Sequence, residues 1–437
     1  MAIKLNKDLQ VKFQKFKSDK RARYSLLALM TLFFLTLPAE FLCNVRPILL
    51  VVDSKPYFPI LFSYSEKDFD GPLSSEPDYK SERFLRILKG ESPDLITDTD
   101  SNEFEANTNT GLTLSLEDFE EGEEDLSSVP MELSLNDFEE DDAITPTPQA
   151  KNIIIPEATV SVTSPREYWI IWPPVRYDYQ YIPSYSETGR IALAAPYETL
   201  SADKSRIIPS AWQDGHYLGT DDRGRDVLAR LVYGFRISMV FGLSLAITGT
   251  LLGCLLGGIQ GFFGGSIDLI GQRLTEIWGS IPRLYILIIL SAMLAPSALL
   301  LFVILNLTAW MGMAAYIRAE FLKGRNLEYV KAAKALGVSN FSIMRKHILP
   351  NSLTPVITFF PFEVTAGILA LVSLDFLNLG VPSPAPSIGE LLSQGKTNLQ
   401  AIWILIPTFA VLTGALTLLT FVGDGIRNAF DPRKAAN

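Results

Sequence analysis

Apolar residues in this chain gather into six runs of about 20 positions with few charges. They lie at about Tyr24–Cys43, Ile237–Gln260, Ile277–Leu294, Ala298–Ile317, Thr354–Leu377 and Ala401–Val422. An α-helix rises about 1.5 Å per residue, so each run is long enough to cross a hydrocarbon core of ~30 Å. The third and fourth runs nearly merge, and Ala295-Pro296-Ser297 marks the turn between them, because proline and small polar residues break helices. The pattern predicts an all-α polytopic membrane protein with six transmembrane helices.

Charge orients the pattern. Lys4, Lys7, Lys12, Lys15, Lys17, Lys20, Arg21 and Arg23 precede the first run, against Asp8 and Asp19. Basic flanks stay in the cytoplasm, so residues 1–23 read as a cytoplasmic arm. The arm is long, no small-residue cleavage site follows, and Glu40 closes the run. Residues 24–43 therefore read as an uncleaved anchor rather than a signal peptide. Residues 44–235 then fall outside the cytoplasm, and residues 236–437 form a five-helix core. The stretch 318–350 carries Arg318, Lys323, Arg325, Lys331, Lys334, Arg345 and Lys346 against Glu320 and Glu328, and the tail adds Arg427, Arg433 and Lys434. Six crossings place both of these segments, and both termini, inside.

The formal net charge of −10 hides a split. Glu91–Asp142 holds 19 Asp and Glu and no Lys or Arg, so the rest of the chain is net basic. Low hydrophobicity with high charge over residues 91–150 is the composition of a disordered insert in the long outer loop. Within it Leu114-Ser-Leu-Glu-Asp-Phe-Glu-Glu121 recurs as Leu133-Ser-Leu-Asn-Asp-Phe-Glu-Glu140. The repeat reads as a docking peptide for a basic partner, as a weak calcium-binding patch, or as a slipped duplication in a tolerant loop. Its spacing does not fit an EF-hand. The aromatic segment Tyr168–Tyr185 suits a membrane-interface belt, stacking in a small domain, or a ligand surface.

Other classes drop out. Cys43 and Cys254 give no disulfide framework. No Gly-x-x-x-x-Gly-Lys-[Ser/Thr] loop is present, so ATP chemistry is expected on another chain and no cofactor on this one. His216 and His347 fall on opposite membrane sides and give no metal site, and no nucleophile elbow is found. The reading is a non-enzymatic membrane component in contact with the lipid bilayer, with no nucleic acid partner.

The most informative segment is Asn326-Leu-Glu-Tyr-Val-Lys-Ala-Ala-Lys-Ala-Leu-Gly337, continued by Val-Ser-Asn-Phe-Ser-Ile-Met-Arg-Lys-His-Ile-Leu-Pro350. Asn326 is placed to cap a short helix with Glu328 in its first turn, Gly337 to end it in the left-handed region, and Ser339 to start a second helix that stops before Pro350. Ala332, Ala333 and Ala335 keep one side thin, as a docking face would need. A solvated basic loop that only fixes topology is the plainer alternative.

Ala332-Ala333, a glycine four residues later, and Leu349-Pro350 resemble the "EAA" loop of ABC-importer permeases, with Lys331 in place of the signature glutamate and His347 in place of its usual isoleucine. Those departures resemble the oligopeptide and dipeptide branch. His216–Ser238, containing Gly219, Thr220, Asp221, Gly224 and Asp226, is similar to that family's signature before the second span. Ser373–Pro382 and Pro386–Glu390 are similar to its segment after the fifth. Asn44-Val-Arg-Pro-Ile-Leu-Leu-Val, Tyr57-Phe-Pro and Tyr64–Gly71 narrow the resemblance to the Yej-type branch, associated with import of microcin C and other peptides across the bacterial inner membrane. The acidic insert departs from it.

The resemblance implies several things. The loop 326–350 would be a coupling helix, with Glu328, Lys331, Ala332, Ala333, Gly337, His347, Leu349 and Pro350 at the contact with an ATPase subunit. ATP and Mg would sit on that subunit. The other partners would be a second homologous permease and a periplasmic peptide-binding protein.

Two carboxylates within apolar runs stand out, since an intramembrane acid marks a path or a pairing partner. Glu363 is expected to line the path or pair with a neighbouring subunit, and Asp375 to sit at a gate or subunit contact. Gly249, Gly253 and Gly257 recur every four residues, a pattern that lets helices pack closely. Against a peptide permease stands a membrane-anchored scaffold whose acidic insert recruits a basic partner. That reading leaves the loop motif without a role. An ion-driven transporter would need inverted repeats and more intramembrane charge.

Overall fold

The computed structural model describes residues 7–90, 166–183, 192–199, 207–294 and 297–430. The acidic insert 91–150 with its duplicated motif, and Tyr185, lie outside the described residues. The chain divides into two units, 1–64 with 169–437 and 65–168.

The smaller unit is organised by aromatic packing. A 3-10 turn, Glu66–Phe69, is followed by Asp70 in the left-handed region, and then by helix α4 (Glu82–Lys89). Phe84 meets Phe69 and Tyr79 edge-on at ring separations of 5.4 and 5.3 Å. Arg83 pairs with the buried Glu66 at 3.3 Å.

The larger unit begins with α1 (Lys7–Ser18), α2 (Lys20–Thr36) and α3 (Ala39–Leu42). Asp19 caps α2 by accepting from the Arg21 and Ala22 amides. The apolar run Tyr24–Cys43, read as one span, is therefore broken near Pro38, and α2 has 17 residues. Glu40 does more than close the run, because Arg236 grips both its oxygens at 2.9 Å. A hairpin follows, β1 (Leu49–Val52) with β2 (Lys55–Tyr57), turned by Asp53 and Ser54, both at positive φ as a two-residue primed turn requires. β3 (Tyr168–Ile171) flanks β1 on its other side.

The helical body comprises, after the small unit's α4, α5 (Val227–Phe263), α6 (Gly265–Ser280), α7 (Arg283–Met293), α8 (Ala298–Gly324), α9 (Glu328–Ala335), α10 (Asn340–Ile343), α11 (Leu353–Phe376), α12 (Ile388–Thr397) and α13 (Ile402–Phe430). Among the described residues, four helical stretches are long and apolar enough to cross a membrane: Val227–Phe263, Ala298–Gly324, Asn340–Phe376 and Ile402–Phe430. The third apolar run, expected to be one span over Ile277–Leu294, is split at Ile281-Pro282. Proline supplies no backbone donor, so α6 ends at Ser280 and α7 starts afresh at Arg283. Ser297 caps α8 by accepting from the Leu300 amide, next to the turn expected there.

The most extensive helix pairing is α5 with α8, and glycines set the approach. A Cβ added at Gly249 would lie 3.1 Å from the Ala309 Cβ, at Gly253 2.8 Å from the Trp310 carbonyl, at Gly257 2.3 Å from the Ala314 carbonyl, and at Gly261 2.5 Å from the Arg318 carbonyl. The four-residue repeat seen in the sequence is thus a packing surface, one turn longer than it looked. Thr248 donates to Asn306 across the same pair at 2.6 Å. Gly242 and Gly367 bring α11 against α5 in the same way. At the far end of α8 Arg318 holds Asp268 of α6 through two bonds of 2.5 and 2.8 Å.

Gly257→Leu should destabilise the protein by about 3 kcal/mol, the upper end of overpacking costs, because backbone rather than a flexible side chain blocks the new Cβ. Gly414→Leu, where nothing lies within 4 Å, should leave the thermal midpoint in detergent unchanged. Equal midpoints for the two variants would remove the close-packing account.

Candidate coupling loop and capped helix entrance

Two polar assemblies occupy opposite ends of α5. At one end lies the loop between α8 and α11. The residue that precedes α9 is Leu327, which makes no side-chain cap, and Asn326 instead donates back to the Leu322 carbonyl. Asn326 is thus not the cap, because α8 runs on through Gly324 and uses it. Glu328 occupies the first turn of α9 and meets Lys331 at 3.0 Å, both exposed. Gly337 follows α9 at φ +77°, a conformation that costs other residues steric strain. Its amide donates to the Lys334 carbonyl, and Val338 reaches back to Ala333. Ser339 caps α10 by accepting from Ser342, and a π-helical turn, Met344–Ile348, carries His347 to Leu349 and Pro350.

The loop's faces differ from the expectation that three alanines form one thin side. Ala333 is 8% exposed and packs with Val330, Ile343, Ile348 and Phe321 in a core shared with α8. Ala332 and Ala335 are exposed. A helix of 3.6 residues per turn turns successive residues by about 100°, so adjacent alanines cannot share one face. The outward tip is instead Leu336 and Phe341, 84% and 71% exposed, flanked by the exposed Lys331, Lys334, Arg345 and Lys346. Sequence reading missed these two because an apolar side chain is assigned to the interior by default. The loop is braced from behind by Asn351, which donates to Tyr329 and to the His347 carbonyl at 3.1 Å each.

The other assembly is built by the signature before α5. Gly219 takes φ +71°, with the Ala194 carbonyl 2.4 Å from where a Cβ would stand. Thr220 accepts from the Ala194 amide at 2.8 Å. Asp221 accepts from the Arg223 and Arg225 amides and from Arg225 Nε, and Gly224, at φ +81°, closes that turn. Asp226 caps α5 through the Ala229 amide at 2.7 Å, and its other oxygen meets His216 Nδ1 at 2.9 Å. His216 lies stacked on Tyr177.

This turn seats a buried charge cluster. Asp221 and Arg230 are both 0% exposed, and Arg225 and Arg230 reach Glu390 of α12 at 3.2 and 2.5 Å. Burial pulls the Arg225 guanidinium down, but its hydrogen bond to Asp221 and the charges of Asp221 and Glu390 outweigh that, so it is held above its ordinary range. Burial, and then the charge of Asp221, push the Asp222 carboxyl up. Arg225, Arg230 and Glu390 were not singled out in the sequence. The arginines meet Glu390 across 160 or more positions, and no local spacing reveals that.

The two carboxylates expected at a path or gate separate. Asp375 is buried, accepts from the Val381 amide at 2.8 Å and from the Ser387 hydroxyl, and Ser387 in turn caps α12. It holds the turn after α11 in shape. Glu363 is half-buried beside a recess of 190 Å³ between α5, α8 and α11.

Asp221→Asn should destabilise the protein by about 3–5 kcal/mol, since it leaves two buried guanidinium groups short of one charge. Arg273→Ala breaks the exposed pair with Glu276 and should hardly move the detergent melting curve. A wild-type-like melt for Asp221→Asn would show that the cluster is not holding the entrance together.

Comparison with known proteins places these features. Residues 249–436 match the family described as the binding-protein-dependent transport system inner membrane component. The peptidoglycan transport system permease protein YejE of Agrobacterium fabrum is 37% identical over 434 residues, covering 97% of this chain and 92% of the relative. The inner membrane ABC transporter permease protein YejE of Escherichia coli is 34% identical over 426 residues, 98% and 97% of the two chains. The dipeptide transport system permease protein DppC of Bacillus subtilis is 37% identical over 238 residues, 53% of this chain and 72% of the relative. With two relatives alike along nearly its whole length, the chain belongs to the family of binding-protein-dependent ABC transporter permeases.

Proposed function

We propose that this permease moves peptides or peptide conjugates of the microcin C kind across the bacterial inner membrane as one half of an ABC importer. The single observation that carries the mechanism is the exposed tip Leu336–Phe341 on a braced loop whose base is continuous with the α8–α11 core. A partner pressing on Leu336 and Phe341 pushes on Val330, Ala333, Ile343 and Ile348, and through them on α8 and α11. The partner is an ATPase subunit, which supplies ATP and Mg chemistry. The groove it offers is apolar with an acidic rim, to suit the four lysine and arginine residues around the tip.

In this reading six spans carry the chain across. The first includes α2, and the third is the broken α6–α7 segment, shielded from lipid by a second homologous permease. Both termini lie in the cytoplasm. The α5 entrance, with Gly219, Thr220, Asp221, Gly224, Asp226 and the Glu390 cluster, faces the periplasm, where a peptide-binding protein delivers cargo. Transport then follows from ATPase closure favouring one of two arrangements of the helices, with no catalytic side chain in this chain.

Leu336→Asp and Phe341→Asp should each cut peptide uptake roughly tenfold or more, the effect of about 1.4 kcal/mol at an interface, with protein level unchanged because both side chains are already in solvent. Ala333→Asp should lower the level of inserted protein as well, since it buries a carboxylate. Uptake assays with membrane immunoblots check both, and full uptake by the two tip variants would remove the coupling assignment.

Deletion of Asp94–Asp142 should leave uptake near wild type. Loss of uptake, with a basic protein no longer co-purifying, would favour the scaffold reading.

A further inference from the structure

We propose that the bend between α1 and α2 binds the headgroup of an anionic phospholipid through Lys17, Lys20 and Arg21, with Phe13 and Tyr24 as its apolar flanks. The site is independent of the cargo and of which membrane face this end of the chain occupies.

The bend has a defined shape. α1 ends at Ser18 and α2 starts at Lys20, so Asp19 alone joins them, in extended conformation. Its carboxylate is turned to the Arg21 and Ala22 amides as the cap of α2. Ser18 donates to the Lys15 carbonyl at 2.7 Å, and Arg23 reaches back to the Lys17 carbonyl at 3.4 Å. α1 is also held against the end of α13. A Cβ at Gly425 would stand 3.2 Å from the Phe16 ring, and the Lys12 ammonium lies 5.1 Å from the Phe430 ring centre. With Phe16 and Lys12 turned to α13, Phe13 and Lys17 share another face of α1 one turn apart, and both are exposed.

The outward face of α2 marks where lipid begins. Ala22, Ser25 and Leu29 are buried, whereas Lys20, Tyr24 and Leu27, spaced by four and three, are exposed. That stripe passes from cation to phenol to alkyl chain, the order in which a crossing helix meets headgroups, interface and hydrocarbon. The Arg23 guanidinium lies 5.0 Å from the Tyr24 ring centre, at the same level. Lys20 and Arg21 therefore stand about one turn above an interfacial tyrosine, at the depth of lipid phosphates. The end of α13 beside them adds Asp424 and Arg427, both exposed, whose charges cancel. A cluster of cations at a helix entrance attracts anionic headgroups, and an apolar ring beside it enters the acyl boundary. A free phosphate would use the cations but neither Phe13 nor Tyr24, so the lipid is the better complement.

The test uses the full-length chain purified with its partner subunits in mild detergent. Binding of fluorescent phosphatidylglycerol is titrated against fluorescent phosphatidylcholine, with glycerol phosphate as a competitor. The wild type should prefer phosphatidylglycerol. Replacing Lys17, Lys20 and Arg21 together by Gln should weaken it by roughly fivefold for each cation removed, with phosphatidylcholine binding unchanged. Phe13→Ser alone keeps every charge and should weaken the lipid severalfold while leaving glycerol phosphate binding untouched. As a charge-matched control, replacing Lys55, Lys67 and Lys89 by Gln should change nothing. Unchanged phosphatidylglycerol affinity in the bend variant, or an equal loss in the control, would overturn the site. Competition by glycerol phosphate as strong as by the lipid would assign the cations to free phosphate instead. Loss of a co-purifying subunit from the bend variant with lipid affinity intact would assign them to a protein contact, and either result overturns the lipid proposal.

Discussion

The helical body depends on the close approach of α5 and α8, which glycine alone permits along one face. Four positions on α5, each one turn apart, bring backbone against backbone from Ala309 to Arg318. In a hydrocarbon solvent there is no hydrophobic force to draw helices together, so van der Waals contact and interhelical hydrogen bonds carry association. The Thr248–Asn306 bond and the Gly242–Gly367 crossing extend the same logic to α11. Once three helices are fixed at backbone distance, the small side chains between them leave the recess that Glu363 borders.

Each end of that rigid trio carries a different polar device. At the α5 entrance charges are buried and paired with one another: Asp226 caps the helix, Asp221 orders the turn, and two arginines bridge to Glu390 on α12. Such a cluster contributes little net attraction after desolvation, but it is intolerant of losing one member. It therefore fixes where α12 sits against α5. At the loop end the charges are solvated and the apolar tip is exposed, an arrangement suited to a surface that engages and releases a partner while its base stays packed.

Much of the membrane architecture was legible from apolar run length, since crossing hydrocarbon demands a long stretch of satisfied backbone. Four of the six runs fold as helices of spanning length. The other two were misread as continuous because hydropathy counts side chains and not backbone donors: Pro38 and Pro282 interrupt helices inside apolar sequence. The loop was readable at Gly337 and Ser339, where backbone conformation and capping are local, and misread at Asn326 and Ala333, where the continuation of α8 and the angle between neighbouring helical residues decide.

By itself, the sequence determined the membrane class, the glycine face, the loop and the signature turn, and it carried the family resemblance that its relatives bear out along nearly the whole chain. These are properties of periodicity, of charge and of short-range backbone chemistry. Only the tertiary structure decided that Arg225 and Arg230 meet Glu390, that Asp375 serves a turn while Glu363 faces an open recess, and that Leu336 and Phe341 form the loop's outer tip. Those assignments depend on which distant segments pack together, and a linear sequence spaces such partners by chain length rather than by distance.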